Sequence, residues 1–184
     1  MINALAFCFG KVTCNQEILG GLMTEIIVKP EPADQPDVEA LMRLSDKVAA
    51  ELYPYDARPS FDFIALASSG MVMFVARTTN GTAAGCCALI LNAKNIGEIK
   101  RMIVHPSFRK LGVGKALVSS LFDVAHARGI TLLLLEVGIR NVAAQYMYQN
   151  AGFRERGPFA NHNASTSSRF MEVSALKCGF VKPA

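Results

Sequence analysis

The sequence predicts a mixed α/β fold, with a mostly antiparallel sheet of about seven strands and one parallel pair near its middle. Three observations predict it. Asn80-Gly81 lies between two apolar runs with strand character, which is a strong hairpin signal. A helical pattern beginning near Gly112 links the strand-like run 96–104 to a second run at 131–137, and such a crossover makes the two strands parallel. The run 131–137 is also apolar without interruption, as befits a strand covered on both faces.

Taken in order, residues 24–29 read as a first strand. From Asp34, apolar Val38, Leu41, Leu44, Val48 and Leu52 recur at helical spacing, so a long amphipathic helix runs to about Tyr53. Pro54 ends it. A shorter helix is expected over 60–67. Strands at 72–78 and 83–91 flank the Asn-Gly turn, and a turn over 92–95 leads to the strand at 96–104, which completes an antiparallel meander. The next helix sets Val113, Leu117, Leu121 and Val124 on one face and stops by Gly129. Asn141 is a plausible N-cap for a short helix that ends at Gly152, a good C′ glycine. Strands over 153–159 and 169–176 close the chain, with a polar loop between them.

At 184 residues the chain fits one domain with a substantial core. The expected division is a poorly ordered leader over 1–22 and a single domain over 23–184. A formal charge of +4, with no long basic run, suits one polyanionic small ligand better than a nucleic acid. No apolar run approaches bilayer length, so no membrane span is expected. The five cysteines are odd in number and lack metal-ligand spacing, which reads as reduced thiols in a cytoplasmic protein without a metal.

The segment richest in chemistry is Arg109-Lys110-Leu111-Gly112-Val113-Gly114-Lys115-Ala116, between a strand and a helix. Glycines let a backbone approach a ligand closely, and the first amides of a helix have no intrahelical partner and sit at the positive end of its dipole. Such a turn holds phosphate or diphosphate. It is not a Walker loop, because Arg109 stands at the required first glycine and Ala116 at the required hydroxyl. Nor is it a dinucleotide fingerprint, whose third glycine would fall at Leu117.

Four segments in order then resemble the GNAT superfamily of N-acetyltransferases. They are Gly97-Glu98-Ile99-Lys100-Arg101-Met102-Ile103-Val104-His105-Pro106, the Arg109-x-x-Gly112-x-Gly114 turn, Leu135-Glu136-Val137, and Asn141-x-x-Ala144-x-x-x-Tyr148-x-x-x-Gly152-Phe153. The resemblance implies helices on both faces of the sheet and a central parallel pair splayed around acetyl-coenzyme A. It implies an enzyme that moves an acetyl group to a primary amine, on a small molecule or a peptide, by direct attack and without metal. The alternatives are a non-catalytic acyl-coenzyme A sensor of the same fold, or a transferase for a longer acyl group.

Residue by residue, the resemblance places the diphosphate on the amides between Lys110 and Ala116, with Arg109 shaping the loop. The pantetheine arm would run between Met102, Ile103 and Val104 on one strand and residues 136–138 on the other. Asn141 and Ala144 would meet the cofactor, although a cap and core packing are the competing readings for Asn141 and for the Met102 and Val104 side chains. Tyr148 matches the family's general acid; its competing reading is an aromatic anchor between helix and sheet. Glu98 matches a glutamate used as general base. Against this stand a solvated glutamate beside Lys100, a water chain, or an already neutral amine. His105, before Pro106, reads as a loop residue. Tyr53, Tyr55, Asp56 and Glu136 are the expected acceptor contacts, with the segments 52–58 and 157–168 as cleft walls. A homodimer through the last strand is a further expectation.

Overall fold

The computed structural model describes residues 25–54, 71–93, 95–160, 162 and 166–176. The expected helix over 60–67 lies outside them, as do Tyr55, Asp56, Cys8, Cys14 and Cys178. Seven strands form one sheet: β1 (Ile26–Pro30), β2 (Val72–Thr78), β3 (Ala83–Ala93), β4 (Ile96–Val104), β5 (Leu132–Gly138), β6 (Arg154–Arg156) and β7 (Ser168–Ser174). Their spatial order is β1-β2-β3-β4-β5-β7-β6. All neighbours are antiparallel except β4 and β5. The sheet and its single parallel pair are therefore as predicted. The last strand, however, is not an edge: β5 and β6 flank β7, so residues 170–172 have no free side for pairing with a second copy.

Helix α1 (Pro36–Leu52) covers β2–β4 on one face, where Val38, Leu41 and Met42 pack on Met73, Val75, Cys86, Ala88 and Ile103. Pro36 suits the first turn of α1, where its missing N–H leaves no intrahelical bond unmade. Leu44, Val48 and Leu52 continue the apolar stripe but are only half-buried; Leu44 packs at the margin of that core, whereas Val48 and Leu52 overhang a cleft rather than the sheet. Helices α2 (Val113–Ala127) and α3 (Val142–Asn150) lie on the opposite face, over a larger core that includes Phe74, Leu89, Leu117, Leu121, Leu133, Leu135 and Phe153.

Strand β6 is shorter than the expected 153–159. Pro158 has no N–H for a ladder, and Phe159 turns back to cover Leu134 and Phe170 on the α1 side. Among the described residues that face of the sheet thus has two covers, α1 over one half and the segment around Phe159 over the other. Cys86 and Cys87 are free, buried thiols. Burial pushes Cys86 up to about 12 and Cys87 well above the ordinary thiol range, so both stay protonated. Among the described residues no helix is long and apolar enough to cross a membrane.

Candidate active site

The parallel pair is joined at one end and open at the other. Register runs only from Ile96 opposite Leu132 to Ile99 opposite Leu135. The joined end is clamped by Asn95, whose carbonyl accepts from the Thr131 amide at 2.8 Å and whose side chain donates to Thr131 Oγ1 at 3.1 Å. Beyond Ile99 the strands part. Residues 136–138 still pair with β7, and β4 stays on β3 through Val104, so the two facing edges are left without each other.

A bulge sets what β4 presents to this gap. Lys100 lies opposite Ala88 and Ile103 opposite Cys86, so Arg101 and Met102 share a single partner position. Arg101 takes φ +55°, uncommon for a residue with a side chain, and its guanidinium pairs with Asp46 of α1. Glu98 and Ile103, five apart, would face opposite ways in a regular strand; the extra residue turns Ile103 back towards α1 with Glu98. Met102 and Val104 consequently pack on the α2–α3 side, and both do serve the core.

The resulting cleft holds about 860 Å³ and lies between α1 and the segment before β7. Glu98, residues 99–103, Glu136, Val137, Gly138, Asn141, Ala144, Tyr148 and Tyr53 all line it, with residues of α1 and β7, so five elements of the chain converge there. Tyr148 is buried against Phe153, ring centroids 5.4 Å apart, and its hydroxyl donates to Met102 Sδ at 3.3 Å. It is thus both the anchor and a lining group. Burial, with a smaller push from Cys87, raises its phenol above the ordinary range, so it holds its proton at neutral pH.

Glu98 is not the solvated strand-start glutamate considered above. It is only 4% exposed, and its Oε1 meets Lys100 Nζ at 3.0 Å and His162 Nε2 at 2.9 Å. The other ring nitrogen of His162 lies 3.2 Å from Glu136 Oε2. The sequence reading named the loop that carries His162 but not the residue. A lone histidine in a Ser/Asn-rich loop carries no periodicity or spacing that would mark it. His105 is structural: its Nδ1 accepts from the Ser107 amide at 3.3 Å, capping a short 3-10 turn over Pro106–Phe108.

At the other side of the gap, Gly112 is the N-cap of α2 at φ +74°, preceded by Lys110 at φ +64°. The first intrahelical bond runs from the Ala116 amide to the Gly112 carbonyl, leaving the Val113 and Gly114 amides ahead of it. Arg109, Lys110 and Lys115 are exposed around this turn, with Leu111 half-buried. Gly114 has a second reason to be glycine: a Cβ there would fall 2.6 Å from Met147 Sδ, so it admits α3 against α2. Asn141 caps α3 by accepting from the Ala144 amide at 3.3 Å, and both residues still line the cleft.

Tyr53 follows the end of α1. It is 7% exposed, and its hydroxyl accepts the Arg140 amide at 2.7 Å, so the polar tip expected to meet an acceptor is already engaged. Among the described residues no group of three or more His, Cys, Asp or Glu could hold a metal ion.

The sheet is parted at its parallel joint, with a glycine-capped helix start beside the opening. Residues 38–153 match the model of the acetyltransferase (GNAT) family, and the chain belongs to that family. It is 33% identical over 151 residues to an IAA acetyltransferase of Azospirillum brasilense, covering 82% of this chain and 98% of that one. A GNAT-family acetyltransferase structure from Staphylococcus aureus superposes with a TM-score of 0.67 at 22% identity, covering 82% and 99% of the two chains. One from Elizabethkingia anophelis, with acetyl-CoA bound, gives 0.62 at 21% identity over 81% and 97%. The expected fold and the enzyme class, N-acetyltransferase, are thereby established.

Proposed function

We propose that the chain transfers the acetyl group of acetyl-coenzyme A to a primary amine, by direct attack inside the cleft between β4 and β5. The observation that carries this reading is the pair of strand edges left facing each other beyond Ile99 and Leu135. Backbone donors and acceptors on such edges pair with an extended ligand as another strand would. The fit extends to the ligand's anionic end, since the turn from Arg109 to Ala116 offers leftover amides, a helix dipole and three cations.

When bound, acetyl-coenzyme A supplies a thioester carbonyl. The chain's own residues then take these roles. The edge of Met102, Ile103 and Val104 orients the pantetheine arm, Asn141 and Ala144 line its path, and the amides of Val113 and Gly114 hold the diphosphate. Glu98 accepts the proton of the incoming ammonium, so that the nitrogen lone pair is free to attack. Tyr148 gives a proton to the departing thiolate, for which its hydroxyl must exchange the weak Met102 sulfur acceptor for the ligand's sulfur, and the second proton shed by the nitrogen as it becomes an amide restores the phenol. Glu136, about a third exposed, draws the cationic acceptor towards the cleft, and Tyr53 walls it in. Tyr55 and Asp56 complete this reading of the acceptor side. A homodimer would not pair through residues 170–172 of β7, where β6 already lies. Cytoplasmic placement is supported by the two buried, reduced thiols.

The test is thiol release from acetyl-coenzyme A across a panel of small amines, peptide N-termini and lysine peptides. Tyr148→Phe is expected to keep cofactor affinity in calorimetry and lose about a hundredfold in kcat. Gly112→Val forces a branched side chain into φ +74° at the diphosphate turn, and cofactor affinity should weaken by about tenfold or more. Cofactor-induced stabilisation without turnover on any amine would instead favour an acyl-coenzyme A sensor.

A further inference from the structure

We infer that His162 is a proton relay, carrying the acceptor's proton from buried Glu98 to the more exposed Glu136 at the cleft mouth. The inference rests on the transferase reading above and concerns where the proton goes after Glu98 has taken it.

The geometry is a continuous chain. Glu98 Oε1 and His162 Nε2 are 2.9 Å apart, and His162 Nδ1 and Glu136 Oε2 are 3.2 Å apart. Exposure rises along it, from 5% for the Glu98 side chain through 22% for His162 to 33% for Glu136. A buried carboxylate that has accepted a proton must give it up before the next turnover, and Glu98 has little solvent of its own to receive it. Imidazole is suited to this step because one ring nitrogen can take a proton while the other releases one.

The transfer balances simply. The ammonium N–H bond breaks and an O–H bond forms on Glu98, leaving a neutral amine. That proton passes to Nε2 as the Nδ1 proton passes to Glu136, and Glu136 releases it to water. Glu98 and Glu136 are then back at their starting charges, and the ring, left with its proton on Nε2, regains the Nδ1–H form by losing one proton to water and taking one from it at its exposed edge.

The ring is held for this role. Phe159 packs against it at 4.8 Å between centroids and Phe170 at 5.7 Å, which fixes the plane between the two carboxylates. The charged groups around it are Glu98 and Lys100 from β4 and Glu136 from β5. Across the cleft α1 presents Asp46, paired with Arg101. Lys100 sits on the same Glu98 oxygen at 3.0 Å, so that oxygen faces both the ammonium and the ring. His162 acts through Glu98, and it is a positioning and relay residue rather than a second base.

The experiment compares wild type, His162→Gln and His162→Ala in steady-state acetylation of the best amine from the panel, between pH 6 and pH 10. Calorimetric acetyl-coenzyme A affinity serves as the check on fold. Glutamine keeps a hydrogen-bonding side chain but cannot relay. Expected is a kcat loss of about tenfold or more at pH 7 with cofactor affinity unchanged. The loss should shrink as pH approaches the amine's own pKa, near 10 for an alkylamine, where the acceptor arrives already neutral. Free imidazoles should restore His162→Ala in an order that follows their basicity. A purely structural role would move neither the pH dependence of the deficit nor the ranking of the rescuing bases. Wild-type kcat in His162→Gln, a loss confined to KM, or a deficit independent of pH and of added imidazole would overturn the relay alone. Failure of the wild-type chain to acetylate any amine would strike the transferase reading, and the relay with it.

Discussion

Two ionic clusters sit on the same face of the sheet, one near each end of α1, and only one of them lines the cleft. Near the start of the helix, Arg77 of β2 binds both oxygens of Glu31 at 3.0 Å, Asp37 at 2.5 Å, and the Gly81 carbonyl at 2.8 Å. Beyond its far end, Glu98, Lys100, His162 and Glu136 surround the parting of β4 and β5. Both clusters cross between elements and both include half-buried charges. The first lies over β1 and β2, which stay paired from Ile26 opposite Thr78 to Pro30 opposite Phe74, and none of its members lines the large cleft. The second lies where backbone pairing stops. Charge partnership therefore does not set the two apart; the loss of strand pairing beside the second does.

Breaking the second cluster should have the largest effect. Glu98→Gln keeps shape and removes the proposed base, and kcat is expected to fall by about a hundredfold or more with acetyl-coenzyme A affinity retained. Thiol release and calorimetry on the same preparation separate the two. Near-wild-type turnover would reduce the Glu98–His162–Glu136 arrangement to a structural cluster like the first.

Next comes the mouth itself. A Cβ at Gly138 would lie 2.1 Å from the Tyr53 hydroxyl, so Gly138→Ala must displace a buried ring and its bond to the Arg140 amide. A stability loss of about 1–3 kcal/mol is expected from overpacking, read as a lower denaturation midpoint, together with an altered KM for the acceptor.

Smallest is Arg77→Ala, with a loss of about 2 kcal/mol through Glu31 and no change in turnover per folded molecule. Its pH signature sharpens the contrast. Glu31 is raised by burial but held below the ordinary carboxylate range overall by Arg77 and Gln35, and Asp37 is lowered chiefly by its bond to Arg77. Carboxylates depressed in the folded state stabilise it above their unfolded pKa, near 4, and that contribution is lost as pH falls through the folded value. Denaturant titrations below pH 5 should show stability falling with acid in wild type and falling less steeply in Arg77→Ala. An equal slope in both would remove the cluster from the account of acid stability.

How much of this was legible in the chain depends on whether the cause was local. The strands at 72–78 and 96–104, the Asn80-Gly81 hairpin, the Asn141 cap and the glycine turn follow from periodicity and turn chemistry, and each lies where the residues say. The short β6 came from Pro158 and from a pull on Phe159 by Leu134 and Phe170, a long-range effect. The half-exposed end of α1 was also hidden, since an apolar stripe does not reveal that the surface beneath it opens. In the site, Glu98 and Tyr148 were legible through the family resemblance. Glu98's burial and the place of His162 depend on 64 residues of chain folding back. The bulge at Arg101 and the packing duty of Gly114 are likewise products of contact rather than of pattern.

The Asn95–Thr131 clamp has a mechanical consequence. It joins β4 to β5 at one end while β3 and β7 hold their outer edges, so the opening is a wedge braced on three sides. From Ile99 to Val104 is five residue steps, roughly 16 Å at strand rise, which sets how long an extended backbone the wedge can admit.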